Sequence, residues 1–130
     1  MNKYGVRLYK SGKFYNAFGD EGMILHELLG YKYIEYKNSV GFPESAINKV
    51  KGKLDSVNIS YSIYEKDNLL EEHKGIDKNY KIVLSKALKN YDIEKRLTRL
   101  KSKINNLSTE ELERVIDSLE DKSIWITIDF

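Results

Sequence analysis

The chain has 130 residues with one proline, no cysteine and a formal net charge of +2; 41% of the residues are hydrophobic, 12% aromatic and 32% charged. This excludes two large domains and a disordered chain, and leaves enough apolar mass for one core. Without cysteine there is no disulfide, thiolate metal site or cysteine nucleophile. With no apolar run near the roughly 20 residues of a membrane span and no apolar signal core at the N-terminus, the expected compartment is the cytoplasm, with no membrane partner.

The first elements read as a β-hairpin. Tyr4 to Tyr9 places Val6 and Leu8 on one face, Ser11-Gly12 forms a turn, and Lys13 to Phe18 returns. On the return strand Phe14, Asn16 and Phe18 share one face and Tyr15 and Ala17 the other, and one of these faces must be core. Composition alone favours a buried Phe14. A helix is predicted over residues 20–29, with Ile24, Leu25, Leu28 and Leu29 at helical spacing and Gly30 as a left-handed cap. Tyr31 to Lys37 reads as a third strand ending at Asn38-Ser39. Gly41-Phe42-Pro43 reads as the start of a second helix whose inward stripe is Ala46, Ile47, Val50 and Leu54. Val57, Ile59, Tyr61 and Ile63 alternate with polar residues in a further strand, Val57 to Tyr64. Residues 67–79 read as a loop and Tyr80 to Leu84 as a short strand. Interleaved strands and helices give an α/β class, a mixed β-sheet flanked by helices, over residues 1–84.

Residues 85–130 differ in character and read as an appended C-terminal helical hairpin with a strand-like tail, packed on the core. Ile93, Leu97, Leu100 and Ile104 form one apolar stripe. Ser108 and Glu111 have capping-box spacing, and Leu112, Val115, Ile116 and Leu119 form a second stripe. Residues 74–103 carry ten Lys/Arg against three Asp/Glu, and residues 108–130 two against seven, so the first helix is basic and the second acidic. The basic stretch reads either as a phosphate-tracking surface or as a solvated face balanced by its neighbour. Ile124-Trp125-Ile126-Thr127-Ile128 has strand character suited to a sheet edge, the chain's own or a partner's.

Catalytic constellations are scarce. His26 and His73 lack metal-ligand spacing, Glu71-Glu72-His73 are neighbours in a predicted loop, and no Walker, dinucleotide-binding or nucleophile-elbow motif occurs. The expectation is a protein that is not an enzyme and needs no cofactor or metal. The most informative cluster is basic and aromatic: Arg7, Tyr9, Lys10, Lys13, Phe14 and Tyr15 surround the glycine turn, a composition suited to phosphate contact and base stacking.

The run Val6 to Phe18 resembles the start of the N-terminal mismatch-recognition domain of MutS proteins, with its strand, glycine turn and Phe-Tyr-Glu-x-Phe segment followed by a helix. Val40-Gly41-Phe42-Pro43 resembles that domain's Gly-x-Pro helix start, and Ser62-Ile63-Tyr64-Glu65 its strand ending in Glu-Gln, so the similarity covers about residues 4–84. The resemblance implies a nucleic-acid-binding role, DNA before RNA. Phe14 then matches the phenylalanine that wedges beside a mispaired base, and Asn16 stands where the family has a base-contacting glutamate. Arg7, Lys10 and Lys13 are the candidate phosphate contacts. Asparagine keeps an acceptor and gains donors but is uncharged and shorter. The rival reading is a protein-interaction adaptor or accessory subunit of a nucleic-acid enzyme, with a protein partner or a second copy bound through residues 91–130.

Overall fold

A computed structural model describes residues 3–121. Strands β1 (Gly5–Ser11) and β2 (Phe14–Phe18) form the expected hairpin in the register Ser11 opposite Phe14 and Tyr9 opposite Asn16. Gly12 makes the turn at φ +60, a left-handed conformation that costs glycine nothing. Helix α1 (Asp20–Leu29) ends at Gly30, also left-handed, whose amide donates to the His26 carbonyl at 2.9 Å. The rest of the sheet comprises β3 (Tyr33–Ile34), β4 (Ser39–Pro43), β5 (Ser60–Glu65) and β6 (Asn68–His73), with α2 (Ile47–Ser56) between β4 and β5. The strand order is β3-β4-β2-β1-β5-β6, antiparallel throughout except for the β1–β5 pair. Helices α3 (Asp77–Asn105) and α4 (Thr109–Asp121) follow, so the sheet is mixed, the class is α/β and the last two helices lie at the C-terminus, as expected.

The core fills one face of the sheet. Val6 and Leu8 of β1, Tyr15 and Ala17 of β2, Val40 and Phe42 of β4, and Tyr61 and Ile63 of β5 pack against Ile24 and Leu25 of α1, Val50 and Leu54 of α2 and Tyr80 of α3. Strand alternation therefore sends Tyr9, Phe14, Asn16, Phe18 and Gly41 to the opposite face. The stripe read for the second helix holds: Val50 and Leu54 are buried, and Ala46 and Ile47 pack on the core.

Four expectations are corrected. Of Tyr31 to Lys37 only Tyr33–Ile34 joins the sheet; Glu35–Lys37 form a 3-10 turn and Asn38 takes the left-handed conformation that asparagine tolerates. Gly41-Phe42-Pro43 does not begin a helix but completes β4. The residue before a proline is driven to extended backbone, and Pro43 sits at the strand's end, where its missing N–H breaks little of the ladder. The stretch read as a loop contains β6, all of whose residues are exposed, so no apolar alternation marks it. Tyr80 to Leu84 is helical: Tyr80 and Ala87 are buried and Val83 and Leu84 half-buried, the 3.6-residue period of one helix face.

The boundary between two compact units falls inside α3, between Tyr91 and Asp92. Before it, α3 is tied to the sheet unit: Asn90 Nδ2 donates to Glu27 Oε1 at 2.8 Å and the Tyr91 hydroxyl to Glu35 Oε1 at 2.6 Å. After it, α4 begins with the expected capping box, in which the Glu111 amide donates to Ser108 Oγ and the Ser108 amide to Glu111 Oε1, each at 3.2 Å. Among the described residues no helix is long and apolar enough to cross a membrane. The tail with Trp125 lies outside the described residues.

Candidate nucleic-acid interface

The β2 strand decides what the open face presents. It is interior, hydrogen-bonded to β1 on one edge and β4 on the other, so its side chains are fixed in direction by two ladders. Phe14 is 56% exposed and Phe18 nearly as much, while their neighbours Tyr15 and Ala17 are buried. The composition-based expectation of a buried Phe14 is thus overturned, because Tyr15, stacked on Phe42 at 5.5 Å, fills the core position instead. Asn16 lies between Tyr9 and Gly41 in the register. A Cβ on Gly41 would stand 3.0 Å from Asn16 Oδ1, tighter than normal contact, so this glycine makes room for the amide.

Around Asn16 the face has two halves. On one side lies a groove of about 450 Å³ lined by Phe14, Asn16, Ile34, Lys37 and Ser39, with one cation and no carboxylate in its lining. On the other, Phe18, Tyr9 and Tyr64 make a row of rings: Tyr9 is tilted against Phe18 at 5.9 Å and stacked on Tyr64 at 5.4 Å. The sheet thereby offers apolar rings beside amide and ammonium groups, the combination that stacks bases and contacts their edges and phosphates.

The candidate cations are placed differently from one another. Arg7 shares the open face but is held by Glu21. The Glu21 carboxylate accepts from the Arg7 main-chain N–H at 2.7 Å, from Nε at 2.9 Å and from Nη2 at 2.7 Å. These bonds fall beyond Tyr9 and Asn16, where the β1–β2 pairing ends, so the carboxylate takes the place of a strand partner. The Glu21 hydrogen bond also pushes the guanidinium pKa above its already high ordinary value. Lys10, opposite Tyr15, emerges on the other face between Glu44 and Glu65, at 3.7 and 3.8 Å. Lys13 is exposed in the turn next to Phe14, and its carbonyl accepts from the Glu44 amide at 2.8 Å. Of the five sequence candidates, then, Phe14 and Asn16 share the groove, Lys13 borders Phe14, and Arg7 and Lys10 are engaged elsewhere. Lys37 and Tyr64 escaped the sequence reading, which put Phe18 on the right face without making it a candidate. Alternation within β2 and β5 signals the two rings, but Lys37 is brought in only by the 3-10 turn.

The histidines have structural surroundings. His26 Nδ1 lies 2.7 Å from the Tyr31 carbonyl with its ring edge-on to Tyr91, and His73 Nε2 lies 3.1 Å from Asp55 Oδ1. Among the described residues no cluster of three potential metal ligands occurs.

The family model of MutS domain I matches residues 2–110. The chain belongs to the MutS domain I family. The match runs well past residue 84, so the family pattern in this MutS domain I protein takes in all of α3 as well as the sheet. Comparison with curated proteins finds no match. The hairpin that carried the resemblance is also the one that turns Phe14 and Asn16 outward in this MutS domain I chain.

Proposed function

We propose that this MutS domain I protein is a non-catalytic DNA-binding protein that reads locally weakened duplex through the open face of its sheet. Phe14 stacks beside an unpaired or mispaired base, Asn16 contacts the base edge, and Lys13 and Lys37 meet the flanking phosphates. One observation carries the reading: an exposed phenylalanine and a half-buried asparagine two residues apart on a rigid interior strand, above a groove whose lining holds a lysine and no acid. Arg7 and Lys10 drop out as phosphate contacts because each already faces a carboxylate.

Magnitudes limit the affinity. Unstacking a base step costs a few kcal/mol, and ring–base stacking returns about 1–3 kcal/mol. A single wedge therefore comes close to cancelling itself, and binding is confined to sites where the duplex is already loosened. Fluorescence anisotropy with matched, mismatched, bulged and single-stranded DNA at about 50 and 200 mM salt tests this, since phosphate contacts must weaken with salt. The expected result is a preference for the mismatched or bulged duplex that Phe14→Ala reduces by about ten-fold, within the range a lost stack allows. A variant that folds normally and binds all four DNAs as the native protein does would refute the role of Phe14. Binding indifferent to salt would refute the phosphate contacts and favour a protein adaptor.

A further inference from the structure

We propose that two copies of this chain associate through their C-terminal helices, the basic apolar stripe of α3 in one copy lying against the acidic apolar stripe of α4 in the other. The inference concerns residues 92–121 and is independent of the DNA-binding reading.

Among the described residues, two apolar stripes of this unit are left uncovered. Ile93, Leu97, Leu100 and Ile104 follow one another at steps of four, three and four, the seam spacing of a coiled coil, yet Ile93, Leu97 and Leu100 are 49, 39 and 47% exposed. A hollow of about 630 Å³ runs along them, bordered by Arg96, Arg99 and Lys103. The second stripe, Leu112, Val115, Ile116 and Leu119, lines another hollow of about 430 Å³ with Ile104 and Leu107, and Ile116 is 46% exposed. None of the thirteen residues of α4 is buried. An isolated helix of that length is marginal in water, because most helices owe their stability to a packed apolar face. Both stripes therefore call for a covering helix.

Charge identifies that helix. Residues 92–105 of α3 carry Lys95, Arg96, Arg99, Lys101 and Lys103 against Asp92 and Glu94, whereas α4 carries six acidic residues against Arg114 alone. The exposed α3 stripe suits an apolar helix with acidic flanks, and the α4 stripe suits one with basic flanks. This chain carries one of each, so it is its own complement. A two-fold axis then makes the α3–α4 contact twice, while α3 against α3 or α4 against α4 sets like charges together. The Arg96–Asp92 pair, 3.7 Å apart and one turn along the same helix, is exposed and is readily exchanged for a contact across the interface.

Sedimentation velocity on the full chain across the micromolar range tests the proposal, with charge reversals at exposed flanking positions. One variant carries Arg96→Glu and Lys103→Glu, the other Glu113→Lys and Glu120→Lys, and circular dichroism checks that each stays folded. The native chain is expected to sediment at twice 15.2 kDa. Each variant alone should dissociate about a hundred-fold more readily, since like charges then face each other across both contacts. An equimolar mixture should restore the double mass, with native mass spectrometry showing one chain of each kind. A native chain that stays at 15.2 kDa throughout overturns the proposal, as it must if each copy, including its own tail, covers its own stripes. A dimer that survives the reversal on α3 alone also overturns it, because that is the behaviour of α3 against α3.

Discussion

The Glu21 carboxylate offers the sharpest test of how the sheet is held together. It is buried and accepts three hydrogen bonds from Arg7, one of them from the β1 main chain at 2.7 Å. Glu21→Ala leaves that N–H without an acceptor in a place water reaches poorly, which costs about 1–3 kcal/mol. The guanidinium loses less. Its side chain is 42% exposed, so water replaces much of the ion pair and the added loss is at most about 1 kcal/mol. The total is about 1–4 kcal/mol, a large part of the 5–15 kcal/mol typical of a domain. Glu21→Gln keeps an oxygen for the main-chain N–H and should lose about 1 kcal/mol. Urea unfolding followed by circular dichroism reads both as shifts in midpoint at unchanged slope. If Glu21→Ala lies within about 0.5 kcal/mol of the native protein, or if Gln is as damaging as Ala, the carboxylate does not act as the substitute strand partner. Arg7→Ala belongs to the same test: it should lower stability while leaving the salt dependence of DNA binding as it was.

Two further outcomes follow from the geometry. Gly41→Ala places a methyl group 3.0 Å from Asn16 Oδ1, so the amide must shift by about a few tenths of an ångström. Alanine in a strand gains up to about 1 kcal/mol over glycine, so urea midpoints should hold or rise while anisotropy shows weaker binding; unchanged affinity would remove Asn16 from the interface. Burial pushes the Tyr61 and Tyr80 hydroxyls from 10.0 up to about 12. In the unfolded chain these phenols release their protons near pH 10, so the stability they contribute is complete below that pH and disappears as pH rises toward 12. Stability measured across pH 9 to 12 should fall less steeply in Tyr80→Phe, and an unchanged slope would show that this phenol does not contribute.

Where a residue meets only its own strand or helix neighbours, the sequence was readable. Alternation separated Tyr15 and Ala17 from Phe14, Asn16 and Phe18, and Gly30, Ser108 and Glu111 marked helix ends where they occur. It failed where the local pattern was too short or too uniform. The apolar run at Tyr80 to Leu84 fits a strand until buried Ala87 extends it to a helical period, and β6 has no inward face for a pattern to reveal. Pro43 suggested a helix start because the pairing of Phe42 with Tyr15 that makes β4 a strand is not visible locally. The candidate site divides in the same way. That Phe14 and Asn16 share a face was legible from one strand, although composition turned that face inward, and the fates of Arg7 and Lys10 depend on Glu21, Glu44 and Glu65, which lie far away in the chain. Lys37 joins the groove only through a tertiary turn.

Phe14, Asn16 and Phe18 are mounted on a strand clamped along both edges, not on a loop. Nothing at that surface has to become ordered before contact, and little of it can bend to accommodate a visitor. All of the yielding must then be done by whatever docks there. On the DNA-binding reading proposed above, discrimination would rest on the compliance of the partner, in the way that soft dinucleotide steps kink where stiff ones resist. A stiff plate of this sort would sense how easily its partner gives way more than which letters the partner carries.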